Sequence, residues 1–204
     1  MTTFADLKTR IADELDRNDI NTQIGNEIKR AIKHYEQQRW WFTETQTTIT
    51  TSSSQASYSL PSNLIILDNV EIQISNNKLE VHEISWNKYV HDWRYSSVPT
   101  GHPDQYAYYS DLLWLGPVPN GAYNVTLSIV YKLDELSNDA DSNAWTNEAE
   151  DLIVSRAERM LGSRLLHLPV QELLLMAQLE REAYNALCGR NEQKVMTGNA
   201  RPWS

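Results

Sequence analysis

Apolar residues recur at helical spacing near both ends of the chain. In residues 3–41 they form two stripes, Phe4, Leu7, Ile11 and Leu15, then Ile24, Ile28, Ala31, Ile32 and Tyr35. Thr3 followed by Asp6 has the spacing of a capping box, and Asn21 or Thr22 is placed to cap the second helix. Neither helix can bury its stripe alone, so each is expected to pack on another helix.

The periodicity changes to two over residues 43–133, which predicts strands. Residues 43–51 are rich in threonine. Further along the chain, Val125, Leu127, Ile129 and Tyr131 alternate with Asn124, Thr126, Ser128 and Val130. Asn76-Asn77 predicts a hairpin turn, and Ser85 can cap a short helix. Trp86 and Trp93, seven residues apart, lie on one face of that helix, where we expect them to pack against the sheet.

Helical periodicity returns after an acidic stretch, residues 134–145, which is interpreted as a linker. Thr146 or Asn147 is placed to cap a helix, Pro169 suits the first turn of a final helix, and Gly189 stands where a C-terminal cap belongs. Residues 190–204 lack a period and predict an extended arm. The prediction is an α+β fold in which residues 1–42 and 146–189 form a four-helix platform and residues 43–133 an inserted antiparallel β module.

The formal net charge of −9 excludes the broad basic face that nucleic-acid binding needs. The charge is uneven, because the last sixteen residues sum to +2 and the remainder to −11. A basic tail on an acidic body can bind an acidic partner, or it can be a solvated end.

Cys188 is the single cysteine, so the chain has neither an internal disulfide nor a cysteine metal site. Residues 1–20 lack the pattern of a signal peptide, and no apolar run approaches the length of a membrane span. The expectation is a protein made and assembled in a reducing cytoplasm, without a membrane partner.

Catalytic patterns are lacking in the sequence. It has no glycine-rich phosphate loop, no nucleophile elbow and no metalloprotease motif, and its five histidines lack ligand spacing. Asp104 and Asp111 flank an aromatic strand, as the acids of a glycosidase could, but both positions suit turns better. The sequence therefore predicts no enzyme, no cofactor and no metal.

Four bulky residues, Arg39, Trp40, Trp41 and Phe42, stand between the second helix and the first strand. Consecutive large rings point in different directions, so we expect them to form a structural junction that wedges the β module against the helices. The alternative, an aromatic binding site, is weaker because bulky aromatic residues are mostly packing residues.

The ordered set of these features resembles the head-to-tail adaptor proteins of phages, which in short-tailed phages include tail tubular protein A and gatekeeper-like connectors. The resemblance is carried by residues 39–42, the threonine-rich strand, and the closing helical pair. It is also carried by Tyr58-Ser-Leu60-Pro61, Gly101-His-Pro103-x-x-Tyr106, Leu115-Gly-Pro117-x-Pro119 and Tyr123…Tyr131.

This resemblance implies a virion structural protein of the neck or tail that forms a ring, typically a dodecamer, with the portal protein above and a tail nozzle or tail tube protein below. Genomic DNA would pass through its channel without sequence-specific binding. Residues 190–204 would dock on the portal, with Arg190, Lys194, Arg201 and Trp203 as anchors.

Two other interpretations remain open. One is another virion connector or a tail-completion protein, which the identity of the neighbouring protein would distinguish. The other is a carbohydrate-binding or hydrolytic β module used at the host surface, which the tryptophan and tyrosine content suggests and glycan binding would test.

Overall fold

The computed structural model describes residues 1–94 and 99–197, with side chains described as far as Lys194. The fold is α+β, as predicted, and the chain divides into two compact units. Residues 1–42 and 133–204 form what we call the helical unit, and residues 43–132 form the β unit.

The described part of the helical unit contains five α-helices: α1 (Phe4–Glu14), α2 (Asn21–Tyr35), α4 (Ala144–Glu148), α5 (Glu150–Leu161) and α6 (Val170–Thr197). A π-helical turn, Gly162–Leu166, follows α5, and a short 3-10 turn, Trp41–Thr43, leads into the first strand. The predicted capping box of α1 is confirmed, with Thr3 and Asp6 bonding each other's backbone N–H. Neither Asn21 nor Thr22 caps α2, because the helix already begins at Asn21 and Ile20 stands at its N-cap.

The core of the helical unit is built from the predicted stripes. Phe4, Leu7 and Ile11 of α1 are buried, as are four of the five predicted positions of α2, while Ile32 is half-buried. They pack with α5, which contacts α1, α2, α4 and α6 and is therefore the central helix of the unit.

The segment before α4, which the sequence presented as a linker, is part of this core. Leu136 is buried among the helices, and the carbonyls of Asp139 and Asp141 accept the N–H groups of Ala5 and Phe4 at 3.0 and 2.8 Å. Helix α4 begins earlier than predicted, since Asn143 forms a capping box with Thr146. Two backbone carbonyls of this segment thus accept N–H groups of the first turn of α1, which have no acceptor within the helix.

The C-terminal prediction was wrong in one respect. Gly189 does not end a helix, because α6 continues without interruption through Thr197. A glycine inside a helix costs about 1 kcal/mol relative to alanine, which flanking contacts can offset. Residues 190–197 are therefore helical and not an extended arm, and residues 198–204 lie outside the described residues.

The β unit contains ten strands and one helix in its described residues. The strands are β1 (Glu44–Thr50), β2 (Ser57–Ser59), β3 (Leu64–Ile74), β4 (Asn77–Glu80), β5 (His82–Glu83), β6 (Thr100–Gly101), β7 (Gln105–Tyr109), β8 (Leu112–Gly116), β9 (Val118–Pro119) and β10 (Asn124–Tyr131). Helix α3 (Trp86–Trp93) is capped by Ser85, as predicted.

Two four-stranded sheets, with orders β1-β10-β3-β4 and β2-β8-β7-β5, contribute side chains to one core. All pairings are antiparallel except the two-residue pairings β5–β7 and β6–β9. The hairpin turn between β3 and β4 is Ser75-Asn76, one residue earlier than predicted, with Ser75 at a positive φ. The turn between β7 and β8 is Ser110-Asp111, where both residues have positive φ, as in a type I′ turn.

Helix α3 packs on the second sheet, which confirms the prediction from Trp86 and Trp93. The Trp86 ring stacks on Tyr109 at 4.1 Å between centroids, and Nε1 of Trp93 donates to the side chain of Gln105 at 3.2 Å. The Trp93 ring lies so close to Gly116 that a Cβ there would stand 2.6 Å from it. Glycine is therefore required at position 116 by the packing of α3.

Candidate functional site

The most concentrated polar contact of the helical unit lies at Glu180 of α6. Its carboxylate accepts a hydrogen bond from the Tyr35 hydroxyl of α2 at 2.7 Å and from Arg156 of α5 at 2.7 Å, and it also bonds Nε of Arg159. Glu180 is only 7% exposed. One buried carboxylate thus joins α2, α5 and α6, and its charge is paired with two arginines.

The ionisation of this cluster follows from its contacts. Burial alone would raise the pKa of Glu180, but the bonds from Arg159, Tyr35 and Arg156 outweigh it and hold the pKa below its usual value. Burial raises the pKa of the Tyr35 hydroxyl, so it remains a donor. Burial and the nearby Arg156 lower the pKa of His34.

An open groove of about 440 Å³ lies over this cluster. It is lined by His34, Tyr35, Gln38, Arg156, Arg159, Ala177, Glu180, Arg181 and Tyr184. Its three arginines face a single glutamate, so the groove is basic on a chain whose net charge is −9. A carboxylate from a partner would meet a favourable potential there.

Beside the groove, the first half of α6 presents an apolar surface to solvent. Val170, Leu174, Leu175 and Leu179 are exposed over 48–71% of their surface, and Leu165 of the preceding turn is 40% exposed. Gln171 and Gln178 lie among them, and the exposed Glu172 is the one charged residue of the stretch 170–179. We call Val170, Leu174, Leu175 and Leu179 the leucine face. Large apolar side chains exposed in this number on one helix are a candidate interaction surface.

The predicted aromatic junction lies at the C-terminal end of α6. The Trp40 ring is 1% exposed, and it packs edge-on against Trp145 and Tyr184. Phe42 contacts Trp145 at 5.0 Å between centroids, and Trp41 contacts Phe42 at the same distance. These contacts belong to the core of the helical unit.

Two of the four predicted portal anchors hold this junction. Arg190 and Lys194 lie over the Trp41 ring at 5.7 and 4.5 Å, as cation–π contacts. Arg190 also donates to the carbonyl of Glu148. Between them, Asn191 accepts the Trp41 N–H at 2.8 Å and donates to the Arg39 carbonyl at 3.3 Å. The other two predicted anchors, Arg201 and Trp203, lie outside the described residues.

The described aromatic cluster of the β unit uses its ring faces internally. Trp86 stacks on both Tyr89 and Tyr109, and the Arg94 guanidinium lies over the rings of Trp86 and Trp114. A sugar would need an open ring face with polar groups around it. The arrangement therefore gives no support to glycan binding.

The candidate acids Asp104 and Asp111 serve the backbone and the turn. Asp111 accepts the Tyr108 hydroxyl at 2.7 Å, and the Asp104 N–H donates to the Gly116 carbonyl at 3.1 Å. In residues 1–94 and 99–197, no set of three or more histidine, cysteine, aspartate or glutamate side chains is placed to hold a metal ion. Within the same residues, no helix is long and apolar enough to cross a membrane.

Sequence reasoning did not single out the Glu180 cluster or the leucine face. A signal for the first was present, because Glu180 falls on the inward stripe of α6 and Arg156 and Arg159 are three residues apart on the neighbouring helix. A buried glutamate requires such partners. For the leucine face, residues 170–179 read as an ordinary buried helix, since apolar content does not reveal which side lacks a partner.

The chain thus combines a helical unit that exposes apolar side chains on α6 with a β unit built from two four-stranded sheets. Residues 2–197 match the SU10 adaptor protein family, a phage adaptor family, and the chain belongs to this family. It is accordingly a structural phage protein and a virion component. Among curated proteins, none matches the chain. The general phage-adaptor prediction is thereby confirmed.

Proposed function

We propose that the chain forms a dodecameric ring between the portal of the filled head and the tail, and that the genome passes through the ring. The observation that carries this proposal is the leucine face, together with membership of an adaptor family. Copies that each carry a net charge of −9 repel one another, so self-association needs a surface without net negative charge. The four side chains of the leucine face carry no charge, and a neighbouring copy in the ring is their proposed occupant.

The charge of the chain also suits a passage for DNA. An acidic channel wall repels the phosphates of the DNA backbone and binds no particular base sequence, so the genome can slide past it. The groove over Glu180 is basic, and its shape and charge suit an acidic side chain of a partner protein.

The portal-docking arm is proposed to be residues 198–204, with Arg201 and Trp203 as anchors. Removal of everything after Gly189 would also remove Asn191 and Lys194, which hold Trp41. The sharper test is truncation after Thr197, which leaves those contacts in place. We expect a folded protein that no longer binds the purified portal, as measured by co-sedimentation. Portal binding equal to that of the full chain would refute the arm.

Electron microscopy of the chain mixed with the portal of its phage tests the ring itself. A ring at the narrow end of the portal is expected, and its symmetry gives the copy number. Leu174→Lys with Leu175→Lys should abolish the ring while leaving the melting temperature within about 3 °C, because both side chains are exposed. The exposed Asn185→Lys is the matched control and should assemble normally. Rings formed by the double variant would overturn the role given to the leucine face.

A ring that instead sits on a tail tube would favour another virion connector or a tail-completion protein. The two outcomes are separated by mixing the chain with the portal and with the tail tube protein in turn.

A further inference from the structure

The first sheet of the β unit ends in two unlike edges. Its order is β1-β10-β3-β4, so β1 closes one side and β4 the other among the described residues. The β1 edge is seven residues long and pairs with β10 in unbroken register from Glu44 to Thr50. It contains no proline, no lysine and no bulge, which are the devices that natural proteins use to prevent an edge from pairing.

The backbone groups that point outward from each edge can be identified. The Thr51 N–H donates to the Tyr123 carbonyl at 2.9 Å, which makes this a hydrogen-bonded pair in the β1–β10 ladder. Because such pairs alternate along antiparallel strands, the outward N–H and C=O groups of β1 belong to Gln46, Thr48 and Thr50. On the other side of the sheet, the Val81 N–H donates to the Val70 carbonyl at 2.8 Å. By the same alternation, the N–H and C=O of Lys78 in β4 point away from β3 toward the open edge.

Each edge also carries an incompletely covered apolar side chain on the core face. Leu79 of β4 lies opposite the buried Ile72, yet it is 49% exposed because no strand follows β4 in the sheet. Ile49 of β1 lies opposite the buried Val125 and is half-buried. A strand added beside β4 would cover Leu79 if it brought a side chain to the same face.

Strand direction selects the partner. All three pairings in this four-stranded sheet are antiparallel, so β1 and β4 run in opposite directions. When a second copy in the same orientation places its β1 beside β4, the two strands are therefore antiparallel. On both edges, the residues whose backbone N–H and C=O point outward carry their side chains on the solvent face. The added strand can therefore form backbone hydrogen bonds to β4 while its own core-face and solvent-face side chains stay on the matching faces of the sheet. Thr47 or Ile49 of the added strand would then stand opposite Leu79.

We propose that β1 of one copy pairs with β4 of the next, so that the sheets of neighbouring copies join head to tail. This contact is heterologous, the type that closes rings, and it rests on the ring of the proposed function. Pairing of β1 with β1 of a second copy would close as a dimer and leave Leu79 exposed. The proposed contact adds to the leucine face and does not replace it.

Disulfide trapping tests the pairing in the full chain. Thr48→Cys and Lys78→Cys are introduced together, with Cys188→Ala to remove the native thiol. Within one copy the two positions are three strand spacings apart, about 14 Å, which is beyond disulfide reach. Oxidation, alone and on the portal, should give a ladder of species larger than a dimer on a non-reducing gel. A second pair, Thr50→Cys with Lys78→Cys, tests the neighbouring register.

Each other outcome of the trapping overturns the head-to-tail pairing. Dimers alone, formed equally by Thr48→Cys without the second substitution, would indicate β1–β1 pairing. Monomers from both cysteine pairs, alone and on the portal, would show that the two edges do not meet.

A proline variant supplies an independent measurement. Thr48→Pro removes one outward donor without breaking the ladder to β10, as edge prolines do. It should weaken ring formation by about tenfold for each junction, the effect of one lost hydrogen bond between subunits. Thr48→Val keeps the donor and should assemble normally. Thr47→Pro, whose N–H points to β10, should instead lower the melting temperature.

The two proposals fail differently. Normal rings from folded Thr48→Pro would refute the edge pairing and leave the adaptor ring intact. A wild-type chain that forms no ring on the portal would refute the proposed function, and the trapping experiment then decides the edge pairing separately.

Discussion

Glu158 of α5 allows a quantitative test of the helical core. Its side chain is buried at 7% exposure, and its Oε1 has no hydrogen-bond partner among the described residues. Burial and the adjacent Glu14 of α1 raise its pKa to about 8, although Arg10 of α1 opposes the rise. Two carboxyl groups therefore meet between α1 and α5, and Glu158 is largely protonated at neutral pH.

The sign of the pH dependence follows directly. The folded pKa lies above the unfolded value of 4.5, so the contribution of Glu158 is fully present below pH 4.5 and is lost as the pH rises through about 8. At about 1.4 kcal/mol per pH unit, folding loses roughly 4 kcal/mol through this group between those limits. Glu158→Gln keeps the shape and cannot ionise, so the loss should vanish in the variant.

Urea unfolding at a series of pH values measures the effect. The free energies of unfolding of wild type and Glu158→Gln should agree near pH 4.5 and diverge with rising pH, until the variant is more stable by roughly 3–4 kcal/mol at pH 8. Glu172→Gln, at an exposed position of α6, controls for the loss of a carboxylate. Parallel stability curves for wild type and Glu158→Gln would refute the reasoning.

Three further substitutions test other contacts. Gly116→Ala should destabilise by about 1–3 kcal/mol, because its Cβ would meet the Trp93 ring, and a thermal melt within 1 °C of wild type would contradict this. Glu180→Ala should lower the free energy of unfolding in urea by about 3–5 kcal/mol, because two arginines lose their buried partner. Tyr35→Phe should lower it by only about 1–2 kcal/mol, because one hydrogen bond is lost. Equal losses would contradict the central place given to the carboxylate. Thr3→Ala should cost about 1 kcal/mol by removing the cap of α1, and Thr9→Ala at an exposed position of the same helix is the control, with equal losses counting against the cap.

Local patterns were sufficient for much of the fold. The stripes of α1 and α2, the capping box at Thr3 and the strand at residues 124–131 depend on neighbours within a few positions, so the sequence displays them. Where the prediction failed, tertiary contacts override local preference. Helix α6 passes through Gly189 while Asn191 and the cation–π contacts of Arg190 and Lys194 hold its last turns to the Trp41 segment.

The candidate site was less predictable than the fold. Glu180 joins residues that are 21, 24 and 145 positions away, and no short pattern reveals such a set. The leucine face could not be separated from a buried stripe, because the difference lies in which side of α6 receives a partner. The roles of Arg39, Trp40, Trp41 and Phe42 as a junction between units stay predictions. So do those of Arg190, Lys194, Arg201 and Trp203 as portal anchors.

Helix α6 also has a mechanical consequence. The leucine face lies ahead of Glu180, where the helix is clamped, and the Trp41 contacts lie behind it. From Leu174 to Asn191 the helix rises about 25 Å, and it acts as a single stiff rod over that length. The exposed leucines and the residues that hold Trp41 therefore lie on one stiff element, on opposite sides of its attachment at Glu180.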